Sequence, residues 1–338
     1  MSTTERGSHG TRAITAKHQH GRGSLWPVLG RLEPQNGIVY LGFVAIFIFF
    51  AVVLHDDGFL TTRNLTNIVL QTAPATIMAI GLVFALSAGE IDLSFGSTTA
   101  VAALCAAMAM QTMPALMGIA AGLGVGIAIG AFNGAMVAWL KLPSFLVTLA
   151  TMGLFAGVAR TLTDLRSIAV INDSFTGFFG SGDFLGVPSL VWWTIGAVAV
   201  GHIIFRHTRF GAHVLATGDN ARAAQVSGIK VPRIRFLVLT ICGACAGLAG
   251  LLYAGRLQAA KYTLGESDLM IVIAAVIVGG TALNGGKGAI IGALVGSLLM
   301  GMLNNGLILM GLGVSDQMIV RGLIILLAVA ISLRDINR

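Results

Sequence analysis

Glu90 and Asp92 stand one residue apart at the edge of a long apolar run. Within hydrocarbon such carboxylates are costly and serve by default as proton relays or substrate ligands. Ahead of a helix the same groups face the positive end of the macrodipole and accept from free N–H groups, a role suited to Asp92 and Ser94. We expect this capping role, with substrate or gate contact as the alternative. Asn133, Asn304, Asn305, Gln317 and Arg321 are further polar residues inside apolar segments. Uncharged amides both donate and accept, which suits a path for a hydroxyl-rich solute, although hydrogen bonding between helices is their commoner use in a membrane. Arg321 requires a partner, with Asp316 or a helix-end carbonyl as candidates.

Nothing else has the spacing of a catalytic or metal site. There is no Ser/His/Asp grouping, and the histidines fall mostly in tail and loop positions. Cys242 and Cys245 form a C-x-x-C, but beside Gly243 and Gly247 on a helix they read as small residues at a packing seam. From Gly280 to Gly288 the chain approaches a phosphate-binding loop and fails the test. Gly286 occupies the lysine place, and no Ser or Thr follows Lys287, so the segment reads as a glycine-rich cytoplasmic turn between spans. No enzymatic activity, cofactor or metal is expected of this chain.

Apolar helices must carry these groups. The 338 residues are 56% hydrophobic and 10% charged, with a mean hydropathy of +0.87. Soluble domains carry about 25% charged residues, and apolar runs of this length are membrane helices rather than barrel strands. The fold class is therefore all-α, a polytopic helical membrane protein of about ten transmembrane helices. The spans read as 38–54, 66–88, 96–111, 114–140, 144–162, 187–205, 236–255, 269–284, 288–311 and 316–333. Merging at the short connections near Glu90 and Met113 gives eight or nine. Residues 1–36, with Arg6, Arg12, Lys17, Arg22 and Arg31, form a polar tail expected to be disordered. The membrane domain follows at 37–333, and 334–338 form a second tail.

Between Arg206 and Arg235 a polar interval holds Arg206, Arg209, Arg222, Lys230, Arg233 and Arg235 against the single acid Asp219. Positive loops stay inside, so this interval and both termini are placed in the cytoplasm. The net charge of +7 is then topological, and nucleic-acid binding is excluded for want of a soluble basic face. Ala221 to Gly228 reads as a short helix closed by Gly228 and followed by a turn at Pro232, a knob for a cytosolic partner.

Gly118, Gly122, Gly126, Gly130 and Gly134 recur every four residues, as do Gly288, Gly292 and Gly296. Such bare faces permit close helix packing, within the chain or between subunits. Pro74 is expected to kink or locally break the second span. The longest outer loop, Thr163 to Gly186, carries Phe175, Phe178, Phe179 and Phe184 and should lie at the interface or dip back into the bundle.

Four segments together resemble one family. Gly89-Glu90-Ile91-Asp92-Leu93-Ser94-Phe95-Gly96-Ser97 resembles the signature of the ribose-type sugar permeases of bacterial ABC importers. Gly218, Asn220, Arg222, Ala223, Ala224, Ser227, Gly228 and Ile229 are similar to that family's ATPase-coupling loop, here within 206–235. Val278-Gly279-Gly280-Thr281 through Asn284-Gly285-Gly286-Lys287-Gly288 resembles its third glycine-rich block, and Asn133-Gly134 with Leu142-Pro143-Ser144-Phe145-Leu146-Val147-Thr148-Leu149 is similar as well. The resemblance runs from about residue 37 to 333. It departs from the wider importer pattern E-A-A-x-x-x-G at Arg222, which stands where Glu would be. The resemblance implies a permease subunit in the bacterial inner membrane that moves a monosaccharide or similar small polar solute. It also implies a second permease copy, as a homodimer or related heterodimer, a cytosolic ATPase that hydrolyses the ATP, and a periplasmic solute-binding protein. Permeases for branched-chain amino acids, nucleosides or a signal sugar share the pattern. An ion-coupled secondary transporter with Glu90 and Asp92 as its relay is the alternative of another class.

Overall fold

The structure, a computed structural model, describes residues 34–320 together with 322, 323 and 326. The chain divides into Met1–Leu32, which lies outside the described residues with most of the expected polar tail, and Glu33–Arg338. The second unit runs through α1 (Pro34–Val53), α2 (Thr62–Ser87), α3 (Phe95–Met110), α4 (Ala115–Ala138), α5 (Ser144–Thr163) and α6 (Asp173–Thr176). It continues through α7 (Ser189–His207), α8 (Arg209–Asp219), α9 (Ala221–Val226), α10 (Val231–Leu257), α11 (Asp268–Val278) and α12 (Ile290–Leu309). Helical residues resume at 314–320. Among the described residues, 6 helices are long and apolar enough to cross a membrane: α2, α4, α5, α7, α10 and α12. Tyr40–Val53 of α1, α3 and α11 are shorter apolar helices. The fold is all-α in its membrane part, and much of the expected last span, 316–333, lies outside the described residues.

Where the expected span 269–284 was continuous, the helix α11 stops at Val278 and residues 279–289 are non-helical. Gly280, Gly285 and Gly286 take φ of 92°, 87° and 77°, and no helix continues through that left-handed backbone. By contrast α2 runs uninterrupted from Thr62 to Ser87 through Pro74, so no local break occurs there.

Close packing at bare helix faces builds the core. Gly126 and Gly130 of α4 face Gly243 of α10. A Cβ on Gly126 would lie 2.6 Å from the Gly243 carbonyl oxygen, and one on Gly130 would lie 2.9 Å from Gly243 Cα. Toward the start of α4 the stripe turns to α3, where a Cβ on Gly122 would come within 3.0 Å of the Ala102 carbonyl oxygen. The glycine stripe is therefore a seam within the chain. The C-x-x-C belongs to the same packing, since a Cβ on Gly81 of α2 would lie 2.9 Å from both Cys242 Cα and Cys245 Cβ.

The segment between α5 and α7 folds back onto the bundle. Phe175 and Phe179 are buried, and Phe179 stacks on both Phe175 and Trp193 at 5.0 Å. Residues Gly177–Ser181 form a π-helical turn. Short antiparallel strands tie this end together: β1 (Ile168–Ala169) pairs with β4 (Ala259–Ala260), and β2 (Asp183–Phe184) with β3 (Val187–Pro188).

Candidate functional site

The connection 88–94 between α2 and α3 buries Glu90, Asp92 and Ser94, each no more than 4% exposed. Asp92 is 1% exposed, and its Oδ1 accepts from the Ser94 backbone N–H at 2.8 Å and from the Ser94 hydroxyl at 2.7 Å. Ser94 precedes α3 without using its own side chain as a cap, so it is Asp92 that closes the turn into the helix. The Ser94 hydroxyl in turn accepts from Asn133 Nδ2 of α4 at 2.8 Å. Asn133, Ser94 and Asp92 thus form one buried chain of donors and acceptors linking α4 to the connection.

Glu90 is held from the other side. Its Oε1 lies 2.7 Å from Arg235 Nε in the first turn or so of α10, a charge contact rather than an aligned hydrogen bond. Burial pushes the Glu90 carboxyl above its ordinary range, against the opposing pull of the Ser144 hydroxyl and the Arg235 guanidinium. Next to it, the Ile91 N–H donates to Ser144 Oγ at 3.1 Å and Thr148 Oγ1 donates to the Ile91 carbonyl at 3.0 Å. The first turn of α5 therefore clamps the backbone between the two acids.

The basic interval is more helical than its sequence implies. Thr208 opens α8 by accepting from the Gly211 N–H at 3.3 Å, and Asn220 opens α9 by accepting from the Ala223 N–H at 3.0 Å. Gly228, at φ 87°, lies just beyond α9. Pro232 makes no turn. It occupies the first turn of α10, where a missing N–H costs nothing because that donor has no partner within the helix. On α9 the alanine pair splits: Ala224 is buried at 4%, Ala223 and Arg222 are exposed, and Val226 projects at 86%. Ser227 and Gly228 are exposed and Ile229 is half-buried.

Three of the glycine-bearing segments converge here. A Cβ on Gly218, at the end of α8, would collide with the Ser87 carbonyl and lie 2.6 Å from the Gly286 nitrogen. The Gly286 N–H donates to that same Ser87 carbonyl at 3.0 Å. The end of α2, the end of α8 and the 279–289 turn are therefore in backbone contact, with the Glu90–Arg235 pair beside them.

The candidate path residues do not gather at one point. Asn305 of α12 exchanges two amide hydrogen bonds with Asn64 of α2, at 3.0 and 2.8 Å. Asn133 belongs to the Asp92 chain, and Gln317 Nε2 donates to the Leu312 carbonyl at 3.0 Å. Asn304 is half-buried, and Arg321 lies outside the described residues. Asp316, its candidate partner, accepts from the Gly313 N–H at 3.2 Å. Sequence reasoning missed Arg235, Ser144, Thr148 and Asn64 as partners. Ser144 and Thr148 were visible within the L-P-S-F-L-V-T-L segment, but Arg235 looked like one more basic loop residue and nothing paired Asn64 with Asn305 across the chain.

Long apolar helices joined by glycine seams, with a buried acidic connection resting on a basic helical loop, define a polytopic helical membrane protein. The family described as the branched-chain amino acid transport system / permease component matches residues 64–329, and the chain belongs to that family. It is 40% identical over 296 residues to the ribose import permease protein of Escherichia coli (strain K12), covering 85% of this chain and 91% of that protein. To the D-allose transport system permease protein of the same strain it is 34% identical over 280 residues, 82% of this chain and 86% of the relative. To the L-arabinose ABC transporter permease protein of Azospirillum brasilense it is 33% identical over 309 residues, 91% of this chain and 89% of the relative. No solved structure matches. The chain is a permease subunit and not an enzyme.

Proposed function

We infer that this chain is the membrane-spanning subunit of an ATP-driven importer for a monosaccharide in a bacterial inner membrane. It works with a separate cytosolic ATPase, a periplasmic binding protein and a second permease copy. The observation that carries the reading is the convergence of Ser87, Gly218 and Gly286 beside α9. A partner that presses on α9 moves, through these backbone contacts, the end of α2 and the acidic connection that opens α3. The mechanical coupling needs no chemistry in this chain. Arg222, Ala223 and Val226 form the docking face, with Ala224 and Gly218 anchoring it from within. Arg222, in place of an acid, calls for a partner groove with an acidic or neutral rim at that point. The sugar assignment rests on the relatives, which are a ribose import permease, a D-allose transport system permease and an L-arabinose ABC transporter permease. We propose ten spans with both termini inside, an orientation that the positive charge of the basic interval supports.

The test is to purify the chain with its natural partners and screen the binding protein against pentoses, hexoses and amino acids. A monosaccharide ligand is the expected result. Capture of leucine and no sugar transfers the assignment to the branched-chain amino acids.

A further inference from the structure

At the end of the bundle away from the basic interval, the first turns of α2 and the end of α12 enclose an open cleft of about 710 Å³. Asp57, Thr61, Arg63, Thr66 and Asn67 line it, with Leu70 and Leu309 among the apolar residues of its wall. The rest of α2 is deeply buried from Thr72 onward, yet Arg63, Asn67 and Gln71, spaced four residues apart on one face, are not. Asn64 is committed to Asn305 and to the Phe59 carbonyl. Arg63, Thr66, Asn67 and Gln71 make no side-chain hydrogen bond or ion pair among the described residues. Polar groups along a membrane helix cannot face hydrocarbon without partners, so this face meets water, a solute or another chain.

We propose that this cleft is the outer entry site for the transported solute, and that Arg63, Thr66 and Asn67 hold it. The inference rests on the importer reading and adds where the solute first meets the membrane subunit. Several features fit a polyhydroxylated ring. The amide of Asn67 donates and accepts in one plane, as a pair of neighbouring hydroxyls requires, and the Thr66 hydroxyl does either. Arg63 donates to further oxygens, while Leu70 and Leu309 offer an apolar surface for the C–H face of the ring. The volume lies within the range of small-molecule pockets, about 300–1,000 Å³. Gln71, one turn deeper on the same face, leads from the cleft toward the buried half of α2.

The test uses the full complex of this chain with its ATPase and binding protein in proteoliposomes. Asn67→Leu and Thr66→Val keep approximate size and remove the polar atoms. Each is expected to slow ATP-driven monosaccharide uptake about fivefold, the effect of one lost hydrogen bond, while the complex still assembles. In parallel, Asn67→Cys is labelled from the outer side with a membrane-impermeant thiol reagent, and solute delivered by the binding protein is expected to slow the labelling. Unchanged uptake in both polar-to-apolar variants overturns the proposal. So does an Asn67→Cys chain that crosslinks to a second copy without solute protection, since the face is then a subunit interface. If the wild-type complex carries some other polar solute and that solute protects Asn67→Cys, the cleft stands and the sugar assignment falls.

Discussion

Asp92 is buried to 1% exposure, and its carboxylate serves the Ser94 N–H and hydroxyl at once. Asp92→Ala leaves that N–H buried without an acceptor, and we expect a loss of about 1–3 kcal/mol in the thermal stability of the detergent-solubilised complex. Asp92→Asn keeps one acceptor oxygen and should lose less. An alanine variant as stable as wild type, but slow in transport, would reassign Asp92 from structure to the solute path. Glu90 and Arg235 are best tested as a pair, because breaking one side leaves the other charge without compensation. Glu90→Gln and Arg235→Gln should each weaken the complex, and the double variant should recover part of the loss. A coupling of about 0.5 kcal/mol or more is expected from residues in direct contact. Strict additivity would show that the 2.7 Å approach carries no energy.

At the scale of elements, α9 is six residues long and cannot be stable alone, so it depends on Asn220, on Ala224 facing inward and on its seat beside Gly218. This separates two kinds of variant. Val226→Asp, at the projecting tip, should abolish ATPase copurification and uptake while membrane insertion and thermal stability stay at wild-type levels. Ala224→Trp should destabilise the chain before any partner is involved. A Val226→Asp chain that still pulls down its ATPase would place the docking face elsewhere. The α4–α10 seam is tested in the same spirit by Gly126→Leu, whose side chain meets Gly243 backbone. Overpacking at such a site costs about 1–3 kcal/mol and should be seen as poor accumulation of folded chain in the membrane. Wild-type levels would mean that the two helices can separate freely.

For the whole molecule, the importer reading predicts that proteoliposomes holding this chain alone accumulate no solute under a proton or sodium gradient, and that uptake appears only with the ATPase, ATP and binding protein. Gradient-driven accumulation by the isolated chain would instead support a secondary transporter with Glu90 and Asp92 as its relay. A reporter fused after Arg338 should be active only in its cytoplasmic form, as an even number of crossings requires.

Composition alone determined the class: a chain 10% charged with long apolar runs has no soluble way to bury itself. The four-residue glycine spacing announced close helix contacts, and Gly228 marked the end of a short helix, because helix termination is local chemistry that neighbouring residues decide. Other features depended on residues far apart in the chain. The glycine stripe does not name its partner helix, and Asn64 finds Asn305 only because α2 and α12 lie side by side. The glycines from Gly280 to Gly288 announced a turn between spans, but the apolar run carried the expected span to 284 where α11 stops at Val278, since hydropathy records burial in the membrane and not backbone geometry. From sequence, Glu90 and Asp92 could each be read as relay, ligand or cap. Only the packed structure supplied Arg235, Ser144 and Asn133 as the groups around them, because the stability of a buried charge is set by what the fold brings within hydrogen-bond reach.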